Sequence, residues 1–415
     1  MITRQTKLSN NQVYAKIGAM IHRRSIVLAS IFLMVLVAAS LVIKIAQGYR
    51  PDISTKSLLP SGLLVATSVP DGAQLYIDGR LKSATNTTLN LSPDEYEVEI
   101  KKDGYTSWKK TLTIKKELVT QTDAYLFPTF PNLQSLTFTG AQNPILSPDS
   151  QKVVFTVSQS SVDKNGLWVL DLGERPFGLP RDPRKIVAST PGGLDFSEAE
   201  LEWSPDSKQI LATLITENKT EIFLLEANQL NPATRLVDIT NQLTIIKADW
   251  KEEEELRFKS QSAKLPPPLL EVLTGTVADI LFSLDETKIL YTATASAQIP
   301  EELIPPLPAA STQPEERSLK PGKIYVYDLK EDKNFYIMDK DETKKFAWFP
   351  TSKHIFIVQR EKISILEYDS TNWIDVYTGP FEEVFASPFP AGNRILVLTT
   401  LGKDTPPNLY AISLR

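Results

Sequence analysis

A chain of 415 residues is too long for one ordinary core, so two or three domains are expected. Its hydrophobic share of 42% and charged share of 23% are those of a folding sequence, and a net charge of -5 argues against a general nucleic-acid binder. With no cysteine there are no disulfides, thiolate nucleophiles, thiolate metal sites or lipoprotein anchor, and His22 and His354 are the only histidines. No cofactor and no metal is expected.

The first 24 residues carry Arg4, Lys7, Lys16, Arg23 and Arg24 and no acid. Residues 25–43 follow without a single charge, an apolar run that as a helix spans roughly 28 Å, close to the hydrocarbon core of a bilayer. Basic residues outnumber acids before the run, while Lys44, Arg50 and Lys56 after it are diluted by Asp52, so the N-terminus is expected in the cytoplasm and the body outside. Ala38-Ala39-Ser40 offers small residues for a signal protease, but the run exceeds the ~7–15 residues of a signal core. The expectation is a cytoplasmic tail over 1–24 and an uncleaved transmembrane helix over 25–46. Residues 47–62, with Pro51 and Pro60, read as a flexible linker.

From Gly62 the pattern alternates with a period of two. Strands are expected over 63–68, 74–77, 87–91, 96–100 and 108–114, separated by Asp78-Gly79, Ser92-Pro93-Asp94 and Lys102-Asp103-Gly104 turns. Pro70-Asp71-Gly72-Ala73 resembles the Pro-Glu-Gly-Ala signature of PEGA domains, with Asp in place of Glu. The later landmarks Asp78-Gly79 and Gly104-Tyr105 fall in the family's order. The resemblance implies a small β-sandwich over 63–127, of the kind found on prokaryotic surface proteins and without enzymatic activity. Read from the residues alone, Gly72 supplies backbone freedom and Ala73 a place too tight for a larger side chain.

Phe127-Pro128-Thr129-Phe130-Pro131 marks a boundary, and beyond it the chain repeats a strand, a polar turn and a strand. The turns are Ser147-Pro148-Asp149-Ser150, Ser204-Pro205-Asp206-Ser207 and Ser283-Leu284-Asp285-Glu286, with weaker copies near Pro350 and Pro388. Pro fixes φ while Ser and Asp bond locally to the backbone. A sixth copy is assigned to Asp249-Trp250-Lys251-Glu252 and 256–258, where Glu252–Glu255 would form a charged turn rather than a metal site. Self-similar units of this length are blades of a β-propeller, and the pattern resembles TolB-like and WD-type repeats. The fold expected is all-β: an N-terminal transmembrane helix, a PEGA-like sandwich, and a six-bladed propeller over 131–415, with seven blades as the alternative. A strand over 133–139 would close the ring by joining the last blade. The Pro-rich insertion 298–322 should be a mobile loop at a blade rim, and Pro266-Pro267-Pro268 a connection between blades.

No nucleophile elbow surrounds His354, and Gly192-Gly193 lacks the lysine and helix of a phosphate loop. The sequence therefore points to a non-enzymatic envelope protein that binds a protein, peptide or glycan partner at the propeller face and contacts no nucleic acid. A propeller-based hydrolase and a purely structural spacer are the alternatives.

Overall fold

The structure, a computed structural model, describes residues 10–46, 49–52, 57–158, 164–173, 182–189, 193–216, 219–305, 307, 310–382, 384–402 and 405–414. Arg4, Lys7 and Gly192 lie outside them. Helix α1 spans Asn10–Ala46. Its segment Ser25–Ile45 has a mean hydropathy of 3.0 and none of it is buried, so by length and composition it is able to cross a membrane. The linker is less featureless than its composition suggests, because Arg50–Asp52 pairs antiparallel with Ser57–Leu59.

Two sheets form the sandwich. One orders Thr87–Leu91, Gly62–Val69 and Val119–Tyr125; the other orders Arg80–Ala84, Gln74–Ile77, Asp94–Lys101 and Trp108–Ile114. Leu64, Leu75, Ile77, Val98, Ile100 and Leu112 fill the space between them. Val119–Tyr125 runs parallel to Gly62–Val69, with Leu63 opposite Val119 and Val69 opposite Tyr125. That strand escapes a sequence reading because its inward positions include Thr120 and Thr122 rather than aliphatic residues.

Beyond residue 131 the described residues form five blade-like antiparallel sheets, not six or seven. The first holds Gln142–Leu146, Lys152–Val157, Gly166–Asp171 and Arg184–Ala188; the second Glu200–Trp203, Gln209–Thr216 and Lys219–Glu226. The third holds Val277–Phe282, Lys288–Ala293, Lys323–Asp328 and Lys333–Asp339; the fourth Lys345–Trp348, His354–Gln359, Lys362–Glu367 and Ile374–Thr378. Ala386–Pro388, Arg394–Thr399 and Asn408–Ser413 make the fifth, completed by Leu133–Ser135, which pairs with the last strand through Leu133 opposite Ile412. A strand preceding the first repeat does therefore join the last sheet. Apolar clusters link first to second, third to fourth, fourth to fifth, and fifth back to first.

The supposed sixth copy is a helix. Helix α2, Leu243–Ser262, lays Leu243, Ile246 and Trp250 against Leu211, Ile222 and Leu224 of the second sheet. Those three side chains repeat at helical rather than strand spacing, and Glu252–Glu255 are good helix formers with no turn residue among them. Helix α3, Pro267–Thr276, opens on the proline run, whose missing N–H groups cost nothing in a first helical turn. Its Leu269 and Leu273 pack on Ile289 and Tyr325 of the third sheet. The two helices thus occupy the place between second and third sheets where a further blade was expected.

One turn geometry recurs in all five sheets. Its fourth residue has positive φ: Ser150 58°, Ser207 61°, Glu286 55°, Ser352 57° and Gly392 67°. In the first copy the Ser147 hydroxyl donates to the Asp149 carboxylate at 2.6 Å and accepts from Lys152 N–H at 2.9 Å, closing a type I turn with a bulge. The same turn latches neighbours: Asp149 N–H donates to Ser207 Oγ and Asp285 N–H to Ser352 Oγ, both at 3.1 Å. Ser207→Ala should therefore cost about 1 kcal/mol in chemical denaturation by orphaning the Asp149 donor. An unchanged denaturation midpoint would deny the latch any weight.

Candidate functional site

The sandwich is docked on the turn side of the third, fourth and fifth sheets, and its docking strand explains how. Along Trp108–Ile114 the inward side chains are Trp108, Lys110, Leu112 and Ile114, so a lysine occupies a core-face position. Its Nζ lies 2.5 Å from Glu367 Oε2 and 2.6 Å from Asp369 Oδ2, with all three side chains nearly inaccessible. The Trp108 indole donates to Glu367 Oε1, and Asn372 ties the same carboxylate at 3.0 Å while accepting from Lys109 N–H at 2.8 Å.

Burial alone would lower the Lys110 pKa, but Glu367 and Asp369 more than offset it and hold the ammonium above its usual range. The carboxylates differ. Burial pushes Glu367 up, while at Asp369 the effect of burial is outweighed by Lys110 and by Thr371, which donates at 2.6 Å, leaving Asp369 below the ordinary range. Beside them His354 is buried among the rings of Tyr125, Phe127 and Phe349, its Nδ1 2.7 Å from the Thr351 hydroxyl. Burial first, then Lys110 and Lys353, push its pKa down to about 3, so it stays neutral at physiological pH. Tyr125 also donates from its hydroxyl to the Gly392 carbonyl at 3.0 Å, and the Lys353–Asp123 ion pair at 2.6 Å closes the edge.

Three walls enclose a cavity of about 300 Å³ at this junction: the sandwich strands, the turns of the third and fourth sheets, and the Pro-rich insertion. The insertion is tied down rather than a free rim loop. Thr312 Oγ1 accepts from Thr113 N–H at 3.3 Å and Gln313 donates to the Thr111 carbonyl at 2.8 Å, both on the sandwich. Ser311 N–H donates to Glu331 at 2.9 Å, and Arg317, with its side chain buried, bonds the Asp332 carbonyl in the third sheet's hairpin and, within the strap, the Pro300 carbonyl. Its prolines fit this role, since a strap crossing the outside of a sheet needs few N–H donors.

The residues that the sequence singled out lie elsewhere and are turns. Gly72 has φ 69°, the Asp71 carbonyl accepts from the Lys102 ammonium, and fully buried Ala73 donates to Thr85 Oγ1 at 2.9 Å. Asp78 and Gly79 are both left-handed, as is Gly104, after which Tyr105 N–H closes on the Lys102 carbonyl at 3.0 Å. Ser204, Pro205 and Asp206 repeat the geometry of Ser147, Pro148 and Asp149, with Ser204 Oγ 2.7 Å from Asp206 Oδ1. None of these residues lines the junction cavity. Lys110, Glu331, Glu367 and Asp369 belong to no sequence motif, although a lysine in phase with Trp108 and Leu112 is a readable sign of a buried charge.

The chain is thus a mostly β protein with an apolar N-terminal helix, a two-sheet domain and a set of blade-like sheets. Residues 61–129 match the PEGA domain. Similar solved structures include TolB from Acinetobacter baumannii, at 14% identity over 77% of this chain and 59% of that one with a TM-score of 0.23. A putative TolB from Agrobacterium tumefaciens shares 12% identity over 65% and 76% of the two chains with a TM-score of 0.21. The β-propeller domain of the Trilobed protease from Pyrococcus furiosus shares 13% over 85% and 82%, with a TM-score of 0.18. The chain spans 59% of the length of the A. baumannii protein. No curated protein matches it.

Proposed function

We propose that this protein is a membrane-anchored binding platform of the cell envelope, without enzymatic activity of its own. In this reading α1 stays in the membrane with its N-terminus in the cytoplasm, and the sandwich and a ring of blades stand outside. The observation that carries the reading is the junction. A buried ammonium shared by two carboxylates, with the Trp108 indole beside it, joins the sandwich to the fourth sheet over 108–110 and 367–372. Such a joint makes one body of two small domains, which suits presentation of a surface rather than turnover of a substrate. The sandwich covers the turn side of the third to fifth sheets, so the opposite side, with hairpin ends such as Ile215 and Leu401 exposed, is where a protein, peptide or glycan partner would dock.

Protease shaving of intact cells tests the orientation. Fragments from beyond residue 62 should be released while the tail remains, and full protection of the sandwich under conditions that cleave known surface proteins would reverse the assignment. Crosslinked pull-down from membranes tests the platform. A reproducible partner lost on mutating the exposed hairpins supports it, and no partner above background would leave a spacer.

A further inference from the structure

We propose that the junction cavity is a binding site for a small ligand carrying a primary ammonium group. Its walls hold the side chains of Asp123, Asp285, Asp328, Glu331, Glu367 and Asp369 against four lysines, so carboxylates exceed cations by two. Three of the lysines are committed, Lys110 to Glu367 and Asp369, Lys288 to Asp328 at 3.0 Å, and Lys353 to Asp123, while the fourth, Lys330, forms no ion pair among the described residues. Asp285 is engaged within its own turn by Ser283 at 2.8 Å and Thr287 at 2.8 Å.

Glu331 is different. One oxygen accepts from Ser311 N–H at 2.9 Å and the other from the Tyr368 hydroxyl at 3.3 Å, both neutral donors, and among the described residues it has no ion-pair partner. Burial and the charge of Asp328 raise its pKa, outweighing the Ser311 N–H and the more distant charges of Lys288 and Lys333. A ligand ammonium in the cavity would supply a direct ion-pair partner and hold three N–H donors toward carboxylates and hydroxyls together.

The rest of the lining selects size and character. About 300 Å³ is at the small end for ligand sites, room for one sugar ring or one amino acid. The hydroxyls of Ser311, Thr312 and Thr122 suit a hydroxylated or zwitterionic molecule, and Leu307 and Ala310 of the strap form an apolar roof. Two sources share the chemistry, an amino sugar and a free amino acid. The cavity lies where three separate segments meet, so an occupant would also tie the sandwich to the propeller.

Calorimetry on the full chain in detergent micelles, with glucosamine, L-lysine and glucose as probes, tests the site. At least one amine should bind and glucose should not. Binding of glucosamine alone assigns an amino sugar, of lysine alone an amino acid, and of both a site that reads the ammonium only. Glu331→Gln should weaken the amine about tenfold or more, because one charge-assisted bond is lost while shape is kept. Leu307→Trp, which fills the cavity from its roof without touching a charge, should abolish it in a chain whose circular dichroism is unchanged. The proposal is overturned if neither amine binds at millimolar concentration, if glucose binds as well as glucosamine, or if both variants bind as the natural chain does.

Discussion

Replacing Lys110 by methionine is expected to cost about 3–5 kcal/mol. The substitution keeps the length and most of the packing of the side chain, so the loss comes from Glu367 and Asp369, left buried side by side with no cation between them. Both carboxylates should then titrate higher, since each repels the other and neither has a compensating charge. The variant should accordingly recover part of its stability as the pH falls, whereas at neutral pH its chemical denaturation midpoint should drop sharply. Adding Glu367→Gln and Asp369→Asn to the same chain should restore most of the loss, because an uncharged hydrogen-bonded cluster carries no Coulombic demand. A Lys110→Met chain as stable as the original would mean the network contributes nothing to docking.

A second large effect is expected at Gly166. Its φ is 134°, and a Cβ there would lie 2.2 Å from the Val187 carbonyl oxygen and 3.0 Å from the Ala188 Cα. Those atoms belong to the neighbouring strand, where Gly166 sits opposite Ala188. Gly166→Ala must either force the strand away or strain its own backbone, and a cost of about 3 kcal/mol or more follows. Gly275→Ala is the internal comparison. It lies in α3 with nothing within 4 Å of the new methyl, and should be neutral or stabilising by up to ~1 kcal/mol. Equal effects of the two substitutions, read by urea denaturation, would contradict the close approach at Gly166.

The blade hairpins were legible because their chemistry is local. Ser147, Pro148 and Asp149 close their turn with bonds among themselves and their next neighbours, so the repeat survives in the sequence even where one member changes. The PEGA landmarks were legible for the same reason. Trp250 misled: it stands in a segment that resembles the Trp203 and Trp348 copies, but those indoles donate to Ile145 and Leu281 carbonyls of neighbouring sheets, while Trp250 rides on a helix. Arg80–Ala84 is an exposed edge strand with no apolar alternation to betray it. The junction itself was hidden by distance along the chain, since Trp108 and Lys110 meet partners some two hundred and sixty residues away. Composition could mark the 298–322 insertion as a Pro-rich loop, but not that Gln313 would moor it to the sandwich and Arg317 to the Asp332 carbonyl.

The pairing of Leu133–Ser135 with Asn408–Ser413 has a consequence for the order of events when the chain is made. The fifth sheet borrows a strand from the start of the repeats, so it cannot be completed until almost all of the repeat region has emerged from the ribosome or crossed a membrane. Residues 61–129 have every strand of their sandwich much earlier, and can form it while the Trp108 indole N–H and the Lys110 ammonium still lack their distant partners. Folding would then run in two stages of unequal speed: a quick local one, and a slow one gated by a contact across nearly the whole repeat region. During the interval the unclosed sheets expose strand edges and apolar faces, the state most open to aggregation and to proteases. A chain built this way depends on what shields it between those two moments.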